Sequence, residues 1–222
     1  MELITRIRAA AFIGAMALAA PFAAHAGSIV ETAVLTDDSG DYNVLPGDFA
    51  RLFGTTFTLT QKTELTSVGF GYGRFAGGSV YAAIVPVDPT TGFPLANASD
   101  IEAAALGHAV INAPFVTDAS QIGDATAALS LMLDPGTYAV VFGAGLYGTT
   151  GSAFSEGNSL GQDIFSSFAG SDWADFGGDD VRLLLNGDAV PEPMTLALML
   201  AGLLGVAFVA RGRSSGTALR TA

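Results

Sequence analysis

The chain has 222 residues, 21 acids against 9 Lys and Arg, a formal net charge of −12 and no cysteine. The missing cysteines exclude a disulfide framework, thiol catalysis and Cys-based metal sites. The surplus of acid speaks against a nucleic-acid partner, because no basic patch is left to neutralise phosphates.

Residues 1–26 carry Arg6 and Arg8, the apolar stretch AAAFIGAMALAA, Pro21 and the small-x-small site Ala24-His25-Ala26. A charged start, a short apolar centre and a small-residue site predict a secretory signal peptide, cut before Gly27 by signal peptidase. As an uncleaved anchor the apolar stretch is short.

Residues 27–189 form the passenger, with nineteen acids against four bases (Arg51, Lys62, Arg74 and Arg182), a net of −15. Such a charge keeps it away from nucleic acid and anionic lipid. Short runs rich in Val, Phe, Thr and Tyr, punctuated by Gly, Pro, Asn and Asp, predict an all-β domain. The expected strands are 28–35, 51–60, 64–73, 78–87, 106–112, 125–133, 136–143, 161–168 and 180–186. Phe53, Phe57 and Leu59 share one parity and Thr56, Thr58 and Thr60 the other, so strand 51–60 is expected to have one dry and one wet face. Three threonines in a row resemble one line of an ice-binding array, but such a surface needs several adjacent rows. Glycines 69, 71 and 73 alternate with Val68, Phe70 and Tyr72, which marks a bulge, a bend or the close approach of another segment. Asp134-Pro135-Gly136 predicts a hairpin between strands 125–133 and 136–143. Residues 93–105 have no obvious place beyond a short helix from Ser99. Number and spacing of strands favour a two-sheet β-sandwich of jelly-roll type.

Several motifs invite an enzymatic reading. Gly143-Ala144-Gly145-Leu146-Tyr147-Gly148 has the G-x-G-x-x-G spacing of a dinucleotide site, which works only where the last glycine opens a helix. TTGSAFSEGNSLGQDIF follows instead, and predicts a strand leaving into a glycine-rich loop. Gly157-Asn158-Ser159-Leu160-Gly161 matches the nucleophile elbow, which needs a strand, a helix and a histidine base. Only His108 survives removal of the signal peptide, and LGHAVIN places it on a strand as a packed structural histidine. Asp37, Asp38 and Asp41 concentrate oxygen ligands on a loop, as a calcium site does, although the spacing is not that of an EF-hand. Trp173, the sole tryptophan, with Asp172 and Asp175 beside it, is the candidate platform for a sugar ring, although a core or lid role fits a lone tryptophan better.

Val190-Pro191-Glu192-Pro193 opens the C-terminal segment, followed by MTLALMLAGLLGVAFVA, Arg211-Gly212-Arg213 and nine more residues. Seventeen uncharged residues cover roughly 25 Å as a helix, near the lower limit for crossing a bilayer. Arg211 and Arg213 at its far end put the cytoplasm there, so 27–189 lies outside, as the signal peptide also requires. Pro191 and Pro193 stop the helix from growing backwards and hold their neighbours extended. This arrangement resembles the PEP-CTERM sorting signal of Gram-negative bacteria, a tail also known as the ice-binding protein C-terminal domain. The resemblance implies recognition and cleavage near Pro-Glu-Pro by an exosortase, a membrane-embedded transpeptidase-like enzyme, after transit at the inner membrane. It also implies delivery to the cell surface or the exopolysaccharide matrix. The basic end here is only Arg-Gly-Arg. LTSVGFGYG, GSVYAAIVPVD and LDPGTYAVVFGAGLYGTTG resemble, more loosely, sandwich passengers found ahead of such tails.

The organisation expected is therefore a signal peptide (1–26), a β-sandwich passenger (27–189), a sorting signal with a transmembrane helix (190–213) and a short cytoplasmic tail (214–222). The function expected is that of an exported, non-enzymatic surface or matrix protein with a structural or adhesive role. The alternatives are a carbohydrate-binding or carbohydrate-processing module around Trp173 and a receptor that keeps its C-terminal helix.

Overall fold

Apolar alternation becomes strand along most of the passenger. The computed structural model describes residues 27–35, 41–44, 51–73, 76–118, 121–168, 172–176, 180–191 and 199–205. The chain divides into two units, His25–Val190 and the two ends taken together. Of the second unit only Pro191 and a helical stretch at 199–205 are described, and in that stretch Leu200 and Leu204 stand exposed. Among the described residues no helix is long and apolar enough to cross a membrane.

The passenger is all-β, two antiparallel sheets packed face to face. One sheet has the order β12 (Ala174–Asp175), β11 (Ile164–Phe168), β4 (Arg51–Leu59), β9 (Gly136–Gly143), β6 (Gly78–Pro86), β7 (Gly107–Ala113). In the other, β5 (Thr63–Tyr72) is flanked by β8 (Gly123–Leu133) and by β14 (Leu183–Ala189), with β1 (Gly27–Glu31) outside β14. Its far part gathers on β10 (Ser152–Ser159), which meets β5 at Tyr72 and pairs with β2 (Ala33–Leu35), β3 (Asp41–Val44) and β13 (Asp180–Val181).

Between the sheets lies one core. Phe53, Phe57, Val80, Ile84, Val140 and Phe142 of the first sheet face Leu65, Val68, Phe70, Phe154, Leu183 and Leu185 of the second. Phe154 is its hub: its ring stacks on Phe70 at 4.3 Å and lies 5.8 Å from Phe53 and 6.0 Å from Phe142.

Four expectations need correction. Asp134-Pro135-Gly136 does turn the chain, but β8 pairs with β5 and β9 with β4 and β6, so the turn carries the chain from one sheet to the other and closes no hairpin. Run 152–159, expected as loop, is a strand whose Ala153 and Phe154 are buried. Expected strand 28–35 breaks at Thr32, and 180–186 breaks at Arg182. Finally, the second face of strand 51–60 is wet only toward Thr58 and Thr60. Nearer its start Leu52 joins Tyr81, Ala83, Val85, Ala139, Val141 and Phe165 in a smaller buried cluster on the outer side of the sheet.

That outer cluster is covered by the stretch without a predicted place. After β6 the chain folds back through a turn in which Asp88 accepts from Thr90 N–H at 2.8 Å. It then runs through a 3-10 turn (Ala98–Asp100) and α1 (Ile101–Ala104), burying Ile101 completely. Small residues make the cover fit: Ala83 and Ala139 below, Ala96, Ala98, Ala104 and Ala105 above.

Candidate functional site

Three places hold the residues singled out from the sequence. The first is the end of the sandwich where its chain ends meet. β1 begins at Gly27 opposite Gly187, and β14 closes with Ala189 opposite Thr63. Val190 still donates its N–H to Lys62 O at 2.8 Å, and Pro191, the next residue, is exposed. The predicted cleavage residue Gly27 thus heads β1, and Val190, first residue of the sorting motif, directly follows the neighbouring strand β14. Ala24, Ala26, Glu192, Pro193, Arg211 and Arg213 lie outside the described residues. Between these strands and the β4–β5 turn opens a cleft of about 370 Å³, lined by Ser28, Ile29, Thr58, Thr60, Gln61 and Thr63 among others.

The second is Trp173. Its indole N–H is donated to Ala96 O at 2.8 Å and its ring meets Phe165 edge-on at 5.2 Å. The partly buried tryptophan thereby ties segment 172–176 to the cover over the outer cluster. Asp172 and Asp175 are exposed beside it, Asp175 on β12 opposite Phe165. The single donor of the indole is spent inside the fold.

The third joins the glycine motif 143–148 to His108, a meeting not foreseen from the sequence. The turn after β9 bends through Gly145, Tyr147 and Gly148, all with positive φ; Tyr147, at 53°, is the one without glycine's freedom. The bend lays the Tyr147 ring flat on His108 (3.7 Å, 10°) and edge-on to Tyr81 at 5.5 Å. No helix follows: Thr149 Oγ1 donates to Leu146 O at 2.7 Å, and β10 begins three residues later. This turn has no helix N-terminus to hold a pyrophosphate. His108 is therefore packed on a ring. Ser159, at the end of β10, accepts from Gly161 N–H at 3.0 Å.

Burial raises the Tyr81 hydroxyl well above its ordinary value of 10.0, and the neighbouring Tyr147 adds to this. Tyr147 is raised by burial and by Glu102. Protonated in the fold and titrating near 10.0 when unfolded, Tyr81 contributes a stability present below that pH and lost above it. We expect unfolding free energy to be flat to about pH 10 and then to fall by ~1.4 kcal/mol per pH unit from this group. Urea titrations from pH 8 to 11.5 check this, and Tyr81→Phe should lose that part of the dependence and leave the part that Tyr147 contributes.

Of the calcium candidates, Asp37 and Asp38 lie outside the described residues; Asp41 opens β3 and pairs through its backbone with Ser155 of β10. Among the described residues no three His, Cys, Asp or Glu side chains gather as a metal site. The threonine row meets Thr137 opposite Thr58, their hydroxyls 3.1 Å apart, but Ala139 opposite Thr56.

Two basic residues do work the sequence reading missed. The Arg182 guanidinium grips Asp124 with two bonds of 2.7 and 2.9 Å, binds Glu31 at 2.8 Å and also reaches Ala33 O. These bonds, Asp124's first, outweigh burial and hold its proton more tightly than usual. Gly71 makes room: a Cβ there would stand 2.8 Å from that of Arg182. Arg51 lies in an aromatic box, its guanidinium carbon 4.9 Å from Tyr42, 5.4 Å from Phe53 and 5.2 Å from Phe176.

No family model matches the chain, and no curated protein matches it. Among solved structures it is similar to a chain of "Structure of infectious bursal disease virus Gt strain", with a TM-score of 0.28 and 9% identity over 74% of this chain and 41% of that one. The chain thus spans less than half the length of that viral protein, and at this score the likeness carries no inference.

Proposed function

We propose that this chain is an exported, non-enzymatic protein of the cell surface or extracellular matrix, sorted by an exosortase through a PEP-CTERM tail, with a structural or adhesive role. The observation that carries the reading is the junction at Val190. The last ladder bond of the sandwich falls on the residue before Pro191, so a cut near Pro-Glu-Pro removes nothing the described fold relies on. Gly27, where a signal peptidase would cut, heads the neighbouring strand, so removing the leader likewise spares the described fold.

The passenger reads as jelly-roll-like, since the chain changes sheet between β3 and β4, β4 and β5, β5 and β6, β7 and β8, β8 and β9, β9 and β10, β10 and β11, and β12 and β13. A structural role is supported by where its conspicuous side chains go: Arg51, Trp173, Arg182 and His108 all pack or bond within the fold. The role needs no cofactor. Exposed Leu200 and Leu204 suit a helix meant for lipid.

Fractionation of cells with and without the exosortase tests this. The protein is expected in the surface or matrix fraction when the enzyme is present and in the inner membrane when it is absent. The same distribution in both strains would refute exosortase sorting.

A further inference from the structure

The outermost strand of a sheet leaves one row of N–H and C=O groups without a ladder partner, a template that folded proteins guard with charge, proline, bulges or short length. Among the described residues, β1, β2, β3, β7, β8, β12 and β13 each pair with a single strand. All but β7 are guarded. β1 has a register shift and Glu31, and β8 pairs across another register shift and carries Asp124. β2 has only three residues, β3 has four with Asp41, and β12 and β13 have two each with Asp175 and Asp180. By contrast β7 runs for seven residues, keeps an unbroken register against β6 and holds no proline. It lies inside 103–117, a stretch without Asp, Glu, Lys or Arg in a domain of net charge −15. Glu102 and Asp118 stand outside the strand, beyond its two ends in sequence.

The surroundings of β7 are those of a covered edge. Leu106, Val110 and Phe115 stand exposed on and beside it. Below it the two sheets come together, a Gly107 Cβ falling 3.0 Å from Leu131 of β8, and Leu131 and Ala127 are only partly buried there. A strand edge is matched by another strand, and charge selects which one. Copies of so acidic a domain repel each other wherever acids meet, and a two-fold axis sets one patch against itself, so an uncharged edge lets two copies approach without that cost. Side chains fix the register. In an antiparallel pair with its axis through Val110, all seven residues of β7 overlap and Val110 meets Val110. His108 then meets Asn112 of the second copy, and on the core side Ala109 meets Ile111. Tyr147 covers the face of the His108 ring and leaves the ring nitrogens at its edge to reach that amide. A slip of one residue would turn exposed side chains toward the core, and a slip of two would set Val110 against His108 or Asn112.

We propose that β7 is a homotypic pairing edge: two copies of this chain join antiparallel through Gly107–Ala113, so that the six-stranded sheets of both become one continuous sheet. The proposal needs only the described sandwich and stands whether or not the tail is cut.

The absence of native cysteine allows a clean test. Residues facing each other in an antiparallel pair have Cα atoms about 4.5–5.5 Å apart, within reach of a disulfide. Two copies of position 112 would stand roughly 14 Å apart in the same register. The full chain, purified in detergent, carries a single exposed substitution: Val110→Cys, Asn112→Cys or, at the middle of β8, Ala128→Cys. On mild oxidation Val110→Cys is expected to give several-fold more disulfide-linked dimer than either of the others. In sedimentation without oxidant, the wild-type chain is expected as a dimer and Val110→Lys as a monomer with unchanged circular dichroism, because two lysines would face each other. Equal or greater linking at 112 or 128 would overturn the assigned edge and register. A wild-type chain that stays monomeric, with no linking at 110, would overturn pairing altogether. A dimer that persists in Val110→Lys would place association elsewhere, in the C-terminal helix for one, and overturn it as well.

Discussion

Phe154→Ala is expected to lower the unfolding free energy by about 3–5 kcal/mol. Phe154 is fully buried and its ring touches the core from both sides, with Phe70 in its own sheet and Phe53 and Phe142 in the facing one. Removing it deletes transfer free energy and leaves a cavity among three rings held by two sheets, Phe53 and Phe142 paired across β4 and β9 and Phe70 on β5, so little collapse can follow. A domain of this size is stable by only about 5–15 kcal/mol, so the variant stands near the edge of folding. Urea unfolding followed by tryptophan fluorescence measures the loss, and Phe154→Leu, which keeps most of the volume, should recover over half of it.

Arg182→Met is expected to cost about 2–3 kcal/mol, from lost bonds to two carboxylates. The arginine side chain is 13% exposed, while Glu31 and Asp124 are 39% and 36% exposed and can regain water, which keeps the cost below that of a fully buried pair. Arginine's fork is what fits here: it takes both oxygens of Asp124 and still reaches Glu31 and Ala33 O. Lysine cannot make that set, so Arg182→Lys should keep less than half of the stabilisation. A double-mutant cycle with Asp124→Asn should show coupling of about 1 kcal/mol or more. Additive effects would mean that the contact contributes nothing beyond packing.

These two residues also show what a reader of the sequence can and cannot see. Most strands were legible because alternation and turn residues are local signals, and 136–143 matches its predicted bounds. Phe154 was hidden in SAFSEGNS, where glycine, serine and a glutamate imitate a loop; only the pairing of β10 with four other strands makes those small residues a core position. The Asp134-Pro135 turn was visible, but which sheet each flanking strand joins depends on partners dozens of residues away. Arg182 carried an unread signal: after Arg74 no Lys or Arg appears until it, in a stretch otherwise full of acids. A solitary base there had reason to be an internal counter-ion. For Trp173 the core or lid role, preferred over a sugar platform, agrees with its packing, but its partner Ala96, 77 residues away, was out of reach of local signals. Tyr147's bend, by contrast, had no local marker beyond the two glycines around it.

The central claim is that a folded sandwich is released between two removable addresses. Intact-mass measurement of the protein recovered from the cell surface or medium tests it most directly. The account predicts a chain that starts at Gly27 and ends within the Val190–Pro193 segment, with any added mass accounted for by the group to which the enzyme transfers it. A recovered surface protein that still contains residues 194–222, or still begins at Met1, would contradict it.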